Sequence, residues 1–369
     1  MTESLLSRVW LQPNQRPDLT PSEWELILGQ ARQSRLLGRL AQHHLIRDWL
    51  SEVPSQPRQY LEGALRLVDR QHHEVRWEVD RIRQALRTVQ TPVVMLKGAA
   101  YFVAGLPPRH GRLFSDIDIL VAKDRLPEVE GALFRAGWIS DERDAYNQRY
   151  YREWMHEIPP LKHVQRGTLI DVHHTITPPT SRFRVDGAKL LERIVAVDDK
   201  ADLFVLAPVD MVLHSAVHLF QEGDFGHGLR DLLDLSDLLV HFSSHLEFWP
   251  ELFERSNELG LQVPLHHALF HIERLLGVSA PAEWADHVRR LRKFGPTPVA
   301  MAWLLALALQ PDHPSCDSRW TGFARWVLYV RSHALRMPLH QVVPHLVRKA
   351  WMHHFPKQKE IDIVVKLDR

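Results

Sequence analysis

Cysteine is almost absent from this sequence, since Cys316 is the only one among 369 residues. A single thiol cannot form an internal disulfide, and it cannot build a zinc site made of cysteines. Both kinds of cross-link are therefore excluded within one chain. We expect a protein that folds in a reducing compartment, which by default is the cytoplasm.

Long apolar runs are also missing. The most apolar stretch, Val299 to Leu309, has about half of the ~20 residues that a membrane-spanning helix needs. We interpret it as a buried core helix. The opening residues do not combine a basic segment with an apolar one, so we expect no secretory signal. The sequence thus predicts no membrane partner.

Charge of either sign is not in excess. The chain has 46 lysines and arginines against 45 aspartates and glutamates, a formal net charge of +1. It lacks the broad basic field that grips a nucleic-acid backbone, so we expect no long nucleic acid as a partner. Hydrophobic residues make up 45% and charged residues 25%, proportions typical of a folded protein with a sizeable core.

Apolar residues spaced three and four apart dominate two parts of the chain. Residues 21–90 show this helical period, and it returns from residue 208 almost to 356. The stretch between them changes character. We therefore predict a helix-dominated α+β fold in three parts: an N-terminal helical arm at 1–90, an α/β core at 91–207 and a C-terminal helical domain at 208–369.

Short β-branched runs predict a small sheet in the core. The predicted strands are residues 92–96, 117–121 and 168–172, and a tail segment at 361–365 is a further candidate. Helices are expected at 98–104 and at 124–136, the second capped by Gly137. In the helical parts, apolar patterns predict core packing for tryptophans 249, 284, 303, 320 and 326.

An acid pair in the second predicted strand is the most informative motif. Side chains alternate along a strand, so Asp116 and Asp118 share one face about 6.6 Å apart while Ile117 and Ile119 enter the core. Such carboxylates repel each other, and a divalent cation such as Mg²⁺ or Mn²⁺ relieves the repulsion. The alternative is an edge strand that merely shows its polar face to water.

A third acid strengthens the metal interpretation. Asp171 lies in another strand-like run and is flanked there by apolar residues. Three acids on adjacent strands predict a site for two ions about 3.5–4 Å apart, the spacing used in phosphoryl and nucleotidyl transfer. His173 shares a face with Asp171 and is expected to orient the acid or a phosphate, unless it is a structural histidine.

A strand-to-helix junction precedes the acid pair by about 20 residues. Lys97 and Gly98 occupy it. Free backbone N–H groups at such a junction attract an anion, and a glycine lets a phosphate approach closely. The junction and the acids together predict a nucleotide site.

These segments resemble the uncharacterised nucleotidyltransferase family of the DNA polymerase beta superfamily. The matching runs are Met95-Leu96-Lys97-Gly98, then Arg112 to Val121, then Ile170-Asp171-Val172-His173. Residues 208–239, which include His214, His218, Arg230 and Asp231, loosely resemble the C-terminal part of the family. One departure is Ala99, where many superfamily members carry serine. The resemblance implies the superfamily's small mixed sheet flanked by helices.

The resemblance also implies roles for individual residues. Asp116 and Asp118 would hold both metals, and Asp171 would complete the second site and help to deprotonate an acceptor hydroxyl. The candidates for nucleotide binding are Lys97, Gly98, Arg112, Ser115 and His173. The implied reaction moves a nucleoside monophosphate from a nucleoside triphosphate, expected to be ATP, to a hydroxyl with release of pyrophosphate.

Two helical groups remain open to interpretation. His214 and His218 are one helical turn apart, a spacing compatible with zinc, although no glutamate follows His214 as in a metalloprotease helix. Arg230, Asp231 and Asp234 either line the cleft opposite the metal site or serve their own helix.

The acceptor stays open, because a small molecule, a peptide, a protein hydroxyl and a tRNA end all fit the sequence. A non-catalytic module that binds nucleotide and a protein partner on the same fold is the alternative function.

Overall fold

The computed structural model describes residues 4–11, 18–197, 202–291 and 299–337. The strands are β1 (Val93–Met95), β2 (Ile117–Leu120), β3 (Trp138–Ile139), β4 (Leu161–His163), β5 (Leu169–His173), β6 (Val195–Ala196) and β7 (Leu203–Val205). The N-terminal helices are α1 (Leu5–Leu11), α2 (Pro21–Gln33), α3 (Leu37–Gln42), α4 (His44–Arg47) and α5 (Ser55–Leu86). The central helices are α6 (Lys97–Val103), α7 (Leu126–Arg135), α8 (Ala145–Trp154) and α9 (Gly187–Leu191). The later ones are α10 (Pro208–Gln221), α11 (Gly228–Phe242), α12 (Phe248–Glu258), α13 (Gln262–Leu276), α14 (Ala285–Leu291), α15 (Val299–Ala308) and α16 (Thr321–Arg336).

The strands form one mixed sheet in the order β3-β4-β5-β2-β1-β7-β6. Strand β2 lies at its centre, parallel to β5 and antiparallel to β1. Strand β1 in turn runs parallel to β7. The prediction of a helix-dominated α+β fold with a small mixed sheet is confirmed, and the three strands expected from the sequence are its central ones.

Burial explains why these segments become strands. All of β1 and β2 is buried, and Ile117 and Ile119 are 4% and 0% exposed. Helix α6 packs on β1 and β2, and it begins and ends one residue earlier than the sequence predicted. Helix α5 packs on α3 and α7. The helix expected at 124–136 begins with one 3₁₀ turn and continues as α7, and Gly137 follows with a positive φ of 97°.

The C-terminal helices are built around α10. This helix packs against α11, α12 and α13, and it also contacts α6 and α16. Helix α10 therefore lies between the other C-terminal helices and α6, the helix that begins at the strand-to-helix junction. The boundaries proposed after residues 90 and 207 stay a prediction, and the strand expected at 361–365 lies outside the described residues.

The expectation that all five tryptophans pack in the core is wrong for two of them. Trp249 is buried at 4% exposure, but Trp320 and Trp326 are 45% and 62% exposed. Trp326 lies on α16 away from the face that carries buried Ala324 and Leu328, and Trp320 is the residue that caps the start of this helix. A tryptophan within a helical pattern of apolar residues thus helps to predict the helix but does not show whether its own side chain is buried. Within the described ranges, none of the helices combines the length and apolar character that crossing a bilayer requires.

Candidate active site

Two of the predicted acids are direct neighbours across the sheet. Strands β2 and β5 pair in parallel with Asp118 opposite Asp171. Asp116 precedes β2 by one residue and lies two positions before Asp118, so the strand alternation directs both to the same face. Asp118 is only 5% exposed, whereas Asp116 and Asp171 are partly exposed. The topology therefore gathers the three carboxylates on one face of the sheet.

Asp118 is held by two basic side chains. Lys97 Nζ donates to Asp118 Oδ1 at 2.9 Å, and His173 Nε2 lies 3.0 Å from the same oxygen. Burial opposes ionisation of Asp118, but the ammonium of Lys97 and the bond to His173 outweigh it and hold the pKa well below its usual range. Asp118 is thus a carboxylate that already has a cationic partner.

Asp171 has the opposite environment. Burial and the neighbouring charges of Asp118 and Asp116 raise its pKa to about 7. Burial and Asp171 likewise raise the pKa of Glu157 to about 8. Burial and neighbouring carboxylates both disfavour the ionised form of these acids, and a bound cation would favour it.

A histidine-containing group lies behind the acids. An isolated antiparallel bridge joins Glu157 to His173, and Glu157 Oε2 lies 3.3 Å from His173 Nε2. Among the histidines, cysteines, aspartates and glutamates of the described residues, one set of three has its possible metal-ligand atoms within 4.8 Å of one another. It consists of His156, Glu157 and His173. Asp116, Asp118 and Asp171 do not meet that distance, and Asp118 contacts Lys97 and His173 instead.

Lys97 and Gly98 shape the strand-to-helix junction. Lys97 has a φ of 46°, a left-handed conformation that non-glycine residues seldom adopt. A Cβ atom built on Gly98 would lie 2.6 Å from Arg112 Nε. The glycine therefore makes room for the Arg112 guanidinium as well as exposing the backbone.

Arg112 is anchored from the far side of the cleft. It forms an ion pair with Asp234 of α11, which also accepts from Arg39 Nη1 at 2.8 Å. Its guanidinium lies 5.7 Å from the centroid of the Tyr101 ring. Burial and the charge of nearby Arg230 lower the pKa of Arg112 to about 10. Its buried Nε has no hydrogen-bond partner among the described residues.

Two adjoining cavities open on these residues. The first has a volume of about 280 Å³, and most of the predicted nucleotide-binding residues line it: Lys97, Gly98, Arg112 and Ser115, with Asp116 and Asp118 and, from α11, Arg230, Asp231 and Asp234. The second, of about 550 Å³, is lined by Asp171, Glu157 and His156 and by one face of α8. The residues common to both are Lys97, Asp116, His218 and Glu222.

The family model described as "Uncharacterised nucleotidyltransferase" matches residues 20–277, well over half of the chain. The chain belongs to this family. The resemblance recognised from the sequence is therefore confirmed. Comparisons with curated proteins and with solved structures find no match.

The matched region of this nucleotidyltransferase contains almost the whole site. Of the residues that line the two cavities, Arg336 alone lies outside the match. All of the sequence-predicted site residues lie within it. His173 is the one among them that lines neither cavity, since it is 0% exposed and acts on the site only through Asp118 and Glu157.

Sequence reasoning missed part of the nucleotidyltransferase site. One missed residue is Glu222, which directly follows α10, pairs with His218 of that helix at 2.9 Å and lines both cavities with it. Their spacing was a visible signal. Zinc between His214 and His218 gains no support, because neither belongs to the metal-compatible set of the described residues. Glu157 carried no such signal, since its contact depends on the bridge to His173.

Proposed function

We propose that this nucleotidyltransferase is metal-dependent and transfers a nucleoside monophosphate from a nucleoside triphosphate, with ATP as the expected donor, to a hydroxyl acceptor, releasing pyrophosphate. The observation that carries the proposal is the pairing of Asp118 with Asp171 across parallel strands, with Asp116 at the junction of the two cavities. This arrangement brings one acid to each cavity and one to both.

Asp116, Asp118 and Asp171 are the residues that would hold Mg²⁺ or Mn²⁺. Carboxylate oxygens suit both ions, and burial together with the neighbouring charges of Asp118 and Asp116 raises the pKa of Asp171, which a cation would lower again. When bound, a divalent cation supplies electrostatic stabilisation of the phosphate oxygens during displacement. The donor chemistry of these carboxylates therefore suits the expected cofactor.

The first cavity is suited to the triphosphate. Lys97, Arg112 and Arg230 line it, together with the hydroxyl of Ser115. Arginine and lysine bind phosphate oxygens and would stabilise the charge that grows on departing pyrophosphate. The unpartnered Nε of Arg112 offers one donor that the protein itself does not use.

The second cavity is suited to the acceptor. Asp171 lines this cavity and not the first. Its carboxylate would take the proton of the acceptor hydroxyl while the oxygen attacks the α-phosphorus and the bond to pyrophosphate breaks. Lys97 and His173 would position Asp118 throughout, since both contact its Oδ1.

Substitution of the partly exposed acids tests the assignment. Asp116→Asn and Asp171→Asn should each lower pyrophosphate release by at least ~10²-fold, because each removes a charged group from the reacting centre. The measurement is release from labelled triphosphates in the presence of Mg²⁺ and cell extract as a source of acceptors. Asp286→Asn, an exposed acid on α14, is the matched control. Wild-type rates in both site variants would contradict the proposal.

A nucleotide-binding module without turnover is the second candidate function. The observation that favours it is the Lys97 ammonium on Asp118, which supplies a permanent cation at an acid that the catalytic role assigns to metal. Calorimetry with Mg²⁺ and each triphosphate separates the two. Binding of nucleotide with no pyrophosphate release on any acceptor supports the module, whereas release supports the transferase.

A further inference from the structure

The second cavity has an aromatic wall. Helix α8 lines it with Tyr146, Tyr150 and Tyr151. These rings are held by edge contacts, with Tyr150 5.6 Å from Tyr151 and 6.0 Å from Trp154 between ring centroids. The helix start is fixed as well, because Asp144 accepts from two backbone N–H groups of its first turn. The wall is therefore preorganised in a place where a ligand can stack on it.

The lining of the second cavity is also rich in acidic residues. Besides Asp116 and Asp171, the cavity is lined by Glu142 and Glu157. Among the described residues, neither glutamate forms an ion pair with lysine or arginine. Glu142 instead accepts from Asn147 Nδ2 at 3.0 Å, which directs its carboxylate towards the start of α8.

The lysine and the arginine of this cavity are already engaged. Lys97 is bonded to Asp118, and Arg336 lies 3.7 Å from Glu222. Glu142, whose carboxylate has no lysine or arginine partner among the described residues, therefore lines the cavity together with three tyrosine rings. Carboxylates and aromatic faces both attract an ammonium group, and they repel phosphate and other anions.

The size of the cavity limits the ligand further. A volume of about 550 Å³ falls in the range of about 300–1,000 Å³ that is typical of small-molecule sites. The cavity adjoins the first one at Asp116, so a hydroxyl on the same ligand can reach the nucleotide.

We propose that the second cavity binds a small acceptor that carries a protonated amine beside the hydroxyl that is nucleotidylated. The inference rests on the proposed function and names the class of its acceptor. The amine lies against the tyrosines and Glu142, and the hydroxyl faces Asp171. The new bond joins the hydroxyl oxygen to the α-phosphorus, the α–β phosphoanhydride bond breaks, the proton goes to Asp171 and pyrophosphate leaves.

Binding of matched amine and amide pairs tests the inference. The probes are the glucosamine disaccharide with its N-acetylated form, and tyramine with N-acetyltyramine, each titrated calorimetrically into the full chain with Mg²⁺. We expect the amine of at least one pair to bind about tenfold more tightly than its amide. Equal or tighter binding of both amides, or no binding of any amine, would overturn the inference.

Variants of the cavity locate the binding. Glu142→Gln should weaken amine binding about tenfold and leave amide binding unchanged, and Tyr151→Leu should weaken it about fivefold. Glu153→Gln, an exposed acid of α8 paired with Arg149, is the control on the same helix and should bind as the wild type. Thermal melts show that each variant is folded. Amine binding that is indifferent to both cavity substitutions would also overturn the inference.

A transfer assay separates this inference from the proposed function. Charge-dependent amine binding without any pyrophosphate release would contradict the proposed transferase function and support the amine site. Nucleotidyl transfer to a neutral or phosphorylated acceptor in preference to the amines would support the transferase function and contradict the amine site.

Discussion

At the scale of single residues, Gly98 connects backbone conformation to the proposed nucleotide site. Its missing side chain is replaced in space by the Arg112 guanidinium, which lines the first cavity and lies within 2.6 Å of where a Cβ would be. The residue type is therefore set by packing against a charged group, in addition to the helix start that the sequence indicated.

Gly98→Ala should move Arg112 and weaken the nucleotide site. Overpacking of this kind costs about 1–3 kcal/mol of the free energy of unfolding, and we expect a raised KM for the triphosphate. Urea unfolding and steady-state kinetics measure the two effects. Gly63→Ala is the control, because it lies in the middle of α5 with its nearest neighbour 4.0 Å away and should stabilise by up to ~1 kcal/mol. An unchanged KM in Gly98→Ala would show that Arg112 does not bind nucleotide.

Local spacing predicted the aspartates, because strand alternation needs only two residues to be visible. Asp116 and Asp118 share a face whatever the rest of the fold does. Glu157 could not be predicted in this way. Its contact with His173 requires a β-bridge between two residues that are 16 positions apart in the chain. The local sequence pattern does not predict that bridge.

At the scale of secondary structure, α11 ties the N-terminal helices to the site. Asp234 on this helix binds both Arg39 of α3 and Arg112, and the three side chains are 4%, 12% and 11% exposed. Asp234 therefore links two largely buried guanidinium groups from different parts of the chain, and Asp237 is a second partner of Arg39.

Asp234→Ala should leave both arginines without their shared partner. Removal of one member of a buried ion pair costs about 3–5 kcal/mol, measured as the free energy of unfolding in urea. The exposed pair Asp286–Arg289, with side chains 65% and 70% exposed, supplies the control. Asp286→Ala should change stability by no more than about 0.5 kcal/mol. A loss of similar size in both variants would show that burial of the Asp234 pair is unimportant.

The elements that were predicted are those whose pattern is long or strongly buried. Strands β1, β2 and β5 have continuous apolar or alternating runs. Strands β3 and β6 have two residues each, too few for a period to be visible. Helix α8 was also missed, because it has no buried residue of its own and its polar and tyrosine-rich sequence gives no apolar face.

At the scale of the whole molecule, buried histidines couple stability to pH. His267 and His271 of α13 are 4% and 0% exposed and stack on Phe220 at 5.5 and 5.8 Å between ring centroids. Burial, with the charges of Arg331 near the first and Arg274 near the second, lowers the pKa of each histidine to about 3. Both are therefore neutral in the folded protein at pH 5.

The free energy of unfolding should fall as the pH drops from about 6.5 towards 3. The unfolded chain takes up these protons near pH 6.5 and the folded chain does not, so each group lowers stability by up to about 1.4 kcal/mol per pH unit. Urea midpoints at pH 7.5 and 5.0 measure the difference. His271→Phe should reduce it, whereas His245→Phe, at an exposed position, should not. A pH difference that is unaltered by His271→Phe would rule out this histidine as a source.

The junction of the two cavities at Lys97, Asp116, His218 and Glu222 has a consequence for the order of events. The proposed donor and acceptor sites are separate compartments with a common wall, so neither substrate would have to leave before the other enters. The nucleotidyl group can then pass directly between them in a ternary complex. With a donor that is chiral at the α-phosphorus, the product would have inverted configuration at that atom, because a single in-line displacement inverts it once.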